Sequence, residues 1–325
     1  MTTSSLPLSP FGIHPEISLR PWGFRDLRPW YDLVAQGDPI GEIWLTGDAC
    51  RVATGPHAGK RLDALFVEAH QALLGSHAPA PASPLLIKTI FACEKLSVQV
   101  HPDDKMAQKY GDARGKTECW YALDAQPGAQ VAVGVKPGVT LAQIEQQIHD
   151  GTLESSLNTL PVHAGDLIFV DAGTIHAIWP GAILLETQQN CDLTYRMFDY
   201  GRPRELHIAR SLEATRLTTR AGKIPPRLLD DRTLLIDVEY FRVERIPVQG
   251  SRSSASLRGG SPPGLAYLFA AAGAGSLVSP AFEPIPLPTR GIVAVPALSP
   301  DFILEDAGAP GQSLDLIRIT PNWPR

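Results

Sequence analysis

The sequence predicts a mainly β protein with a few helices, on three observations. The chain carries 30 prolines and 28 glycines in 325 residues, with proline near twice its usual ~5% share, and so breaks too often for many long helices. Most apolar runs are short, rich in β-branched or aromatic residues and bounded by turn residues, which is the pattern of strands. Only three stretches space their apolar residues as one face of a helix.

In chain order, the first helix is expected over 61–74, where Leu62, Leu65, Phe66, Ala69 and Leu73 recur at helical spacing and Gly75 ends it. Strands follow at 85–91, 96–100 and 119–123. A second helix, over 141–148, has Thr140 as N-cap and Leu141, Ile144 and Ile148 as its stripe, and closes at Asp150-Gly151. Strands at 167–170 and 182–185 precede a third helical stretch near 206–216. The segment 218–231, with Gly222, Pro225 and Pro226, marks a boundary between a larger domain over 1–225 and a smaller β domain over 226–325. The latter's strands are expected at 234–236, 240–243, 265–270, 291–295 and 314–319. A Pro/Ala segment at 78–84 and a Ser/Gly/Pro/Arg segment at 251–263 are expected to be loops. No repeat at solenoid or propeller periods is evident.

Composition narrows the function. Hydrophobic residues are 44% and charged residues 19%, which suits a globular protein with a sizeable core and not a disordered chain. A net charge of -5 argues against nucleic acid as a general partner. The four cysteines form no CxxC pair, so neither a disulfide framework nor a zinc ribbon is expected. Residues 1–24 lack a basic region followed by an apolar one, and the apolar stretch 264–278 is short and broken by glycines; a reducing, cytoplasmic compartment without a membrane span is the expectation.

Three segments hold most of the chemistry. In 96–104, strand alternation sets Ser97, Gln99 and His101 on one face against Leu96, Val98 and Val100 on the other. A histidine ending a strand is by itself more often hydrogen-bonded than metal-bound, so this reading depends on further ligands converging. In 115–121, Lys116 and Glu118 lie two apart and share a face, either as a surface ion pair or as a cation and a carboxylate serving an anion and a metal. The run 111–117 imitates a phosphate loop but has three residues between its glycines where four are needed, and no apolar strand precedes it. In 165–176, a strand, a tight Gly173 turn and a returning strand aim His176 between the strands.

The spacing from Gly165 to His176 is similar to the second cupin motif, G-x5-P-x-G-x2-H, with Asp171 where proline is usual. Taken with Ser97-Val98-Gln99-Val100-His101-Pro102, Gly115-Lys116-Thr117-Glu118-Cys119-Trp120-Tyr121 and Leu185-Glu186-Thr187-Gln188-Gln189-Asn190, it resembles the type I mannose-6-phosphate isomerases in their short bacterial form, over roughly residues 15 to 215. The resemblance implies a cupin (jelly-roll) β-barrel. It makes Gln99, His101, Glu118 and His176 the ligands of one metal, zinc in the family, and Arg196 the catalytic arginine. Two imidazoles, a carboxylate and an amide oxygen also suit Mn, Co or Fe. Trp22-Gly23 matches the family's N-terminal Trp-Gly element near the active site.

The reaction so implied is interconversion of mannose 6-phosphate and fructose 6-phosphate through a cis-enediol. A lone carboxylate in an apolar strand makes Glu186 the first candidate base, ahead of Lys116 and a metal-bound water, because desolvation raises a buried carboxyl toward neutrality. Ser97, Lys116, Lys88 and Arg202 are the candidates for the substrate phosphate; Lys88, alone in an apolar strand, is either inward-facing or an edge charge. His14, His57, His70, His77, His149, His163 and His207 lack converging partners, and Cys119 is expected in the core. Residues 291–297 resemble part of the cupin motif without its histidine, which implies a metal-free second cupin-like domain. A cupin oxygenase and a sugar-phosphate-binding module without turnover are the competing readings; the basic residues and the complete ligand set disfavour them.

Overall fold

The computed structural model describes residues 7–75, 80–308 and 313–322. Of the expected Pro/Ala loop, Ala78 and Pro79 lie outside them, as does His77. The chain packs into two compact units, Ile17–Ile43 with Leu86–Ile224, and Met1–Glu16 with Trp44–Leu85 and Pro225–Arg325. A crossing falls at Pro225, but neither unit is continuous in sequence. Phe11–His14 pairs antiparallel with Ile292–Val295, Phe11 opposite Ala294, and so completes a sheet built from C-terminal strands.

The first unit is a pair of sheets. The larger has seven strands in the order Gly222–Lys223, Leu167–Val170, Glu118–Ala125, Ala182–Gln189, Leu85–Phe91, Ile40–Trp44 and Glu16–Phe24. The smaller has five, in the order Tyr195–Phe198, Val98–Val100, His176–Ile178, Gln130–Val135 and Leu157–Pro161. Strand alternation divides the small sheet cleanly. Val131, Val133 and Ile178 turn inward and pack with Trp120, Ile168 and Leu184 of the large sheet. Val98, Val100, Ala132 and Ala177 turn outward, where they meet Ile144 and Ile148. Leu96 departs from the expected pattern: it precedes the strand and joins the inner cluster, its N–H donating to the carbonyl of Ile178 at 2.9 Å.

The helices follow their local signals. Leu141–Asp150 starts at a capping box in which the Thr140 hydroxyl accepts from the Gln143 N–H while the Gln143 side chain holds the Thr140 N–H, and it ends at Gly151 in the left-handed region. The expected 61–74 helix is two pieces, Leu62–Glu68 and His70–Leu74, because Ala69 leaves helical geometry at φ -121°. The third is shorter than expected, Ile208–Ala214.

The other unit has an eight-stranded sheet and a four-stranded one formed by Ser251–Ser253, Ile303–Asp306, Gly275–Ser279 and Phe282–Leu287. The segment expected as a loop at 251–263 opens with that first strand and the short helix Ser254–Arg258, which Ser253 caps by accepting the Ser256 N–H. A core of aliphatic side chains, Ile246, Leu268, Leu277, Val293, Leu304 and Leu316 among them, lies in this unit.

One constraint in the first unit bears directly on the site. A Cβ on Gly23 would overlap the carbonyl of Ile40, and one on Gly41 would overlap the Arg20 side chain, so Glu16–Phe24 and Ile40–Trp44 lie closer than any larger residue permits. Gly23→Ala is expected to cost about 2 kcal/mol, as inserting a methylene into a filled space does, and to lower the midpoint of thermal unfolding followed by circular dichroism. An unchanged midpoint would mean the edge strand shifts freely.

Candidate active site

The register of the small sheet sets Gln99 opposite His176 on one side and opposite Arg196 on the other. His101 lies one residue past its strand, held there because its carbonyl accepts the Gly173 N–H at 2.8 Å. Gly173 has φ 88°, and a Cβ there would press on the Arg216 side chain, so the turn before His176 requires glycine. Asp171 does by hydrogen bonding what the expected proline would do by ring constraint. Its carboxylate accepts the Thr174 hydroxyl at 2.9 Å and the Arg220 N–H at 3.1 Å, and its carbonyl accepts the Thr174 N–H. Glu118 enters from the large sheet, opposite Val170 and Gln188.

These elements bring His101, Glu118 and His176 together, all buried, with ligand atoms within 4.8 Å of one another. The Nε2 atoms of His101 and His176 lie 3.5 Å from the two oxygens of Glu118. Among the described residues this is the one such group of His, Cys, Asp and Glu side chains. His176 Nδ1 donates to the carbonyl of Thr174 at 2.9 Å, which leaves the Nε2 lone pair directed at the cluster. The Gln99 amide nitrogen stands 3.2 Å from that Nε2, and a half-turn about the last side-chain bond exchanges it for the amide oxygen.

The residues fit a divalent cation on their own chemistry. His101 Nε2 and Glu118 Oε2 are buried without hydrogen-bond partners, a costly arrangement that a cation relieves. Burial pushes the His176 imidazole down to about 4. Burial, then the positive charge of Lys116, holds His101 well below the ordinary histidine range. Both rings are therefore neutral near pH 7 and ready to ligate.

Beside the cluster, Glu186 lies across from Trp120 on the neighbouring strand and points inward, with Lys88 Nζ at 3.4 Å and Lys116 Nζ at 3.7 Å. Lys116 Nζ is also 3.4 Å from Glu118. Burial, reinforced by the negative charge of Glu118 and opposed by the two lysines, raises the Glu186 carboxyl to about 8. Lys88 is buried and inward-facing. Burial pulls against its charge, but Glu186 and then Glu42 outweigh that and keep it protonated. Glu42 bridges Lys88 at 3.3 Å and Arg20 at 3.0 Å.

These groups line a cavity of about 450 Å³, the size of a small-molecule site. Ser97, Trp22 and Arg196 line it too. Arg196 donates through Nη1 to the carbonyl of Glu205 at 2.9 Å and keeps a buried, unpartnered Nε. Its backbone N–H donates to His207 Nδ1, which gives a supporting part to a histidine that sequence reasoning set aside. Arg202 is not brought to the cavity. Glu94 and Asp199, each at 3.1 Å, and the carbonyl of Lys95 hold it elsewhere. Arg204 stands on the wall instead, gripped by both oxygens of Asp199 at 2.7 and 2.6 Å.

Sequence reasoning missed Arg20, Glu42, Asp192 and Arg204, all on the cavity wall. Glu42 carried the signal that singled out Lys88 and Glu186, a lone charge in an apolar strand. The other three sit among ordinary polar residues and carried none.

No protein-family model matches the chain. It is 33% identical over 255 residues to the mannose-6-phosphate isomerase of Streptococcus mutans, across 74% of this chain and 80% of that protein. It is 35% identical over 265 residues to the mannose-6-phosphate isomerase ManA of Bacillus subtilis, across 75% and 81%. Among solved structures, the mannose 6-phosphate isomerase of Bacillus subtilis is similar at a TM-score of 0.83 and 29% identity, covering 96% of this chain and 99% of that one. The phosphomannose isomerase of Salmonella typhimurium shares the fold at a TM-score of 0.77 and 16% identity, over 97% and 100%. With a His101–Glu118–His176 cluster that could hold a metal beside a buried carboxyl flanked by two lysines in a cupin fold, and with relatives of this identity and coverage, the chain belongs to the mannose-6-phosphate isomerase family.

Proposed function

We propose that the protein is a metal-dependent aldose-ketose isomerase that interconverts mannose 6-phosphate and fructose 6-phosphate through a cis-enediol. The observation that carries the reading is the sharing of one cavity by Glu118 of the His101–Glu118–His176 cluster, by Gln99, by Glu186 between Lys88 and Lys116, and by Arg196. Gln99, His101, Glu118 and His176 would hold one divalent ion per chain, which we assign as zinc. When bound, such an ion supplies Lewis acidity at a sugar oxygen and steadies negative charge that develops there.

Glu186 takes the C2 proton and delivers it to C1 on the same face of the sugar. A carboxyl raised toward neutrality is matched to that exchange, and the ammonium groups of Lys88 and Lys116 keep its ionised form accessible in a buried setting. Lys116, within reach of Glu118 and Glu186, offers a proton donor to the sugar oxygens. Arg196 contributes a charge that no physiological pH removes, and its unpartnered Nε is a donor awaiting an acceptor. The phosphate is held at the arginine-bearing wall by Arg196, Arg204 and Arg20, whereas Ser97, whose hydroxyl donates to Gln99 Oε1 at 3.3 Å, stands beside the metal ligands. Arg202 has no part in it. Four free thiols, Cys50, Cys93, Cys119 and Cys191, and the absence of any helix long and apolar enough to cross a membrane among the described residues support our placing the enzyme in the cytoplasm.

Two outcomes test this. Treatment with a chelator is expected to abolish fructose 6-phosphate formation in a coupled assay and addition of a divalent ion to restore it, while His176→Ala loses metal measured by atomic emission. Retained turnover in the metal-free protein would sink the assignment. Glu186→Gln is expected to keep one metal per chain and to lose roughly 10²- to 10⁴-fold in kcat, the usual worth of a positioned base. Near-normal turnover would pass the role to Lys116.

A further inference from the structure

We propose that Gln189, acting with Asp104, is a positioning residue that fixes Lys116 in the cavity by clamping its backbone on both sides. The proposal builds on the isomerase reading. The ladder between Glu118–Ala125 and Ala182–Gln189 has its last register pair at Gln188 and Glu118. One step further, the Gln189 N–H donates to the carbonyl of Thr117 at 3.1 Å, and the Gln189 side-chain oxygen accepts the Thr117 N–H at 2.9 Å. A side chain thus supplies the second half of a strand pairing that the backbone does not complete.

The same amide is used at its other end. Gln189 Nε2 donates at 2.9 Å to Asp104 Oδ1, which also accepts the Gly115 N–H at 2.7 Å. The Lys116 N–H donates to the carbonyl of Pro102 at 3.0 Å. Gly115 is pressed so closely on the backbone of residues 102–104 that a Cβ would overlap it. The backbone of 115–117 is therefore held against the segment that follows His101 on one side and against Gln189 on the other. Gln189 is buried at 4% exposure, where an unmade hydrogen bond is costly, so the clamp has one arrangement.

A lysine has four rotatable side-chain bonds, and its ammonium is placed only as well as its backbone is. Lys116 Nζ must reach Glu118 and Glu186 at 3.4 and 3.7 Å from a strand end that has no regular ladder of its own. Gln189 lines no part of the cavity among its described walls and acts through Lys116.

The test is a double-substitution cycle with metal content recorded throughout. Gln189→Ala in the metal-loaded enzyme is expected to lower kcat about 10- to 100-fold, the scale of an ångström-sized misplacement, with KM changed less than threefold and one metal retained per chain. In a Lys116→Ala background the same substitution is expected to change kcat less than twofold, because the group it positions is gone. An equal loss in both backgrounds, or an unchanged kcat in the first, would overturn the proposal. Amide hydrogen exchange supplies a readout without turnover: the Gly115 and Thr117 amides are expected to exchange at least tenfold faster in Gln189→Ala, and unchanged exchange would also overturn it. If the unsubstituted, metal-loaded enzyme turned over no mannose 6-phosphate, the isomerase reading would fail on its own while the exchange measurement still decided the clamp.

Discussion

The structure depends on one electrostatic arrangement, the burial of Glu118 between two neutral imidazoles and an ammonium. A carboxylate at 1% exposure is expensive in a protein interior, and here His101, His176 and Lys116 face it at close range, with the Glu186 carboxyl beside them. The three come from different places: one past a strand of the small sheet, one on the next strand of that sheet, one just before a strand of the large sheet. Their convergence ties the two sheets together beside the apolar core, where the His176 ring stands edge-on to Trp120 with centroids 5.6 Å apart. A cation bound to this cluster would stabilise the folded unit by mass action, linking occupancy of the site to stability.

Charged side chains continue across the cavity. Its wall carries four carboxyl groups, Glu42, Glu118, Asp192 and the raised Glu186, and five cations, Arg20, Lys88, Lys116, Arg196 and Arg204. A divalent ion held by His101, Glu118 and His176 would add to the positive charge of this wall, to which a phosphate monoester near neutral pH is the complement. Metal and substrate phosphate are then electrostatically complementary through the protein even with the length of a sugar between them. The pairs Lys88–Glu42 and Arg20–Glu42 hold the charges in place before substrate arrives, so little reorganisation is left for the binding step.

Much of this was legible in the sequence because strand alternation is a strong constraint. Once 96–101 is read as a strand, Gln99 and His101 must share a face, and Lys116 and Glu118 likewise. The lone charges Lys88 and Glu186 declared themselves by standing in apolar runs. Leu96 escapes the alternation because it precedes the strand Val98–Val100 and packs in the inner cluster. Arg202 and Arg204 both follow Asp199 and both pair with it, and spacing alone does not say which of the two reaches the cavity; the bonds of Arg202 to Glu94 and to the carbonyl of Lys95 hold it away. The discontinuous units were not legible either. Nothing local in Phe11–His14 says that its partner lies some 280 residues on, at Ile292–Val295; strand pairing at that distance is a property of the whole topology.

Asp171 shows how such a site tolerates a departure from its motif. A proline there would fix the turn before His176 by limiting the unfolded chain and one dihedral angle. Aspartate leaves that freedom in place but satisfies three donors, the Thr174 hydroxyl and N–H and the Arg220 N–H, and so removes it again on folding. The turn is then held by enthalpy where proline would hold it by entropy. Because Gly173 still makes its bond to the His101 carbonyl, the two imidazoles stay in register whichever residue stands at 171. The constraint that must persist is the coupling of the His101 and His176 backbones, and the chemistry of the turn can vary around it.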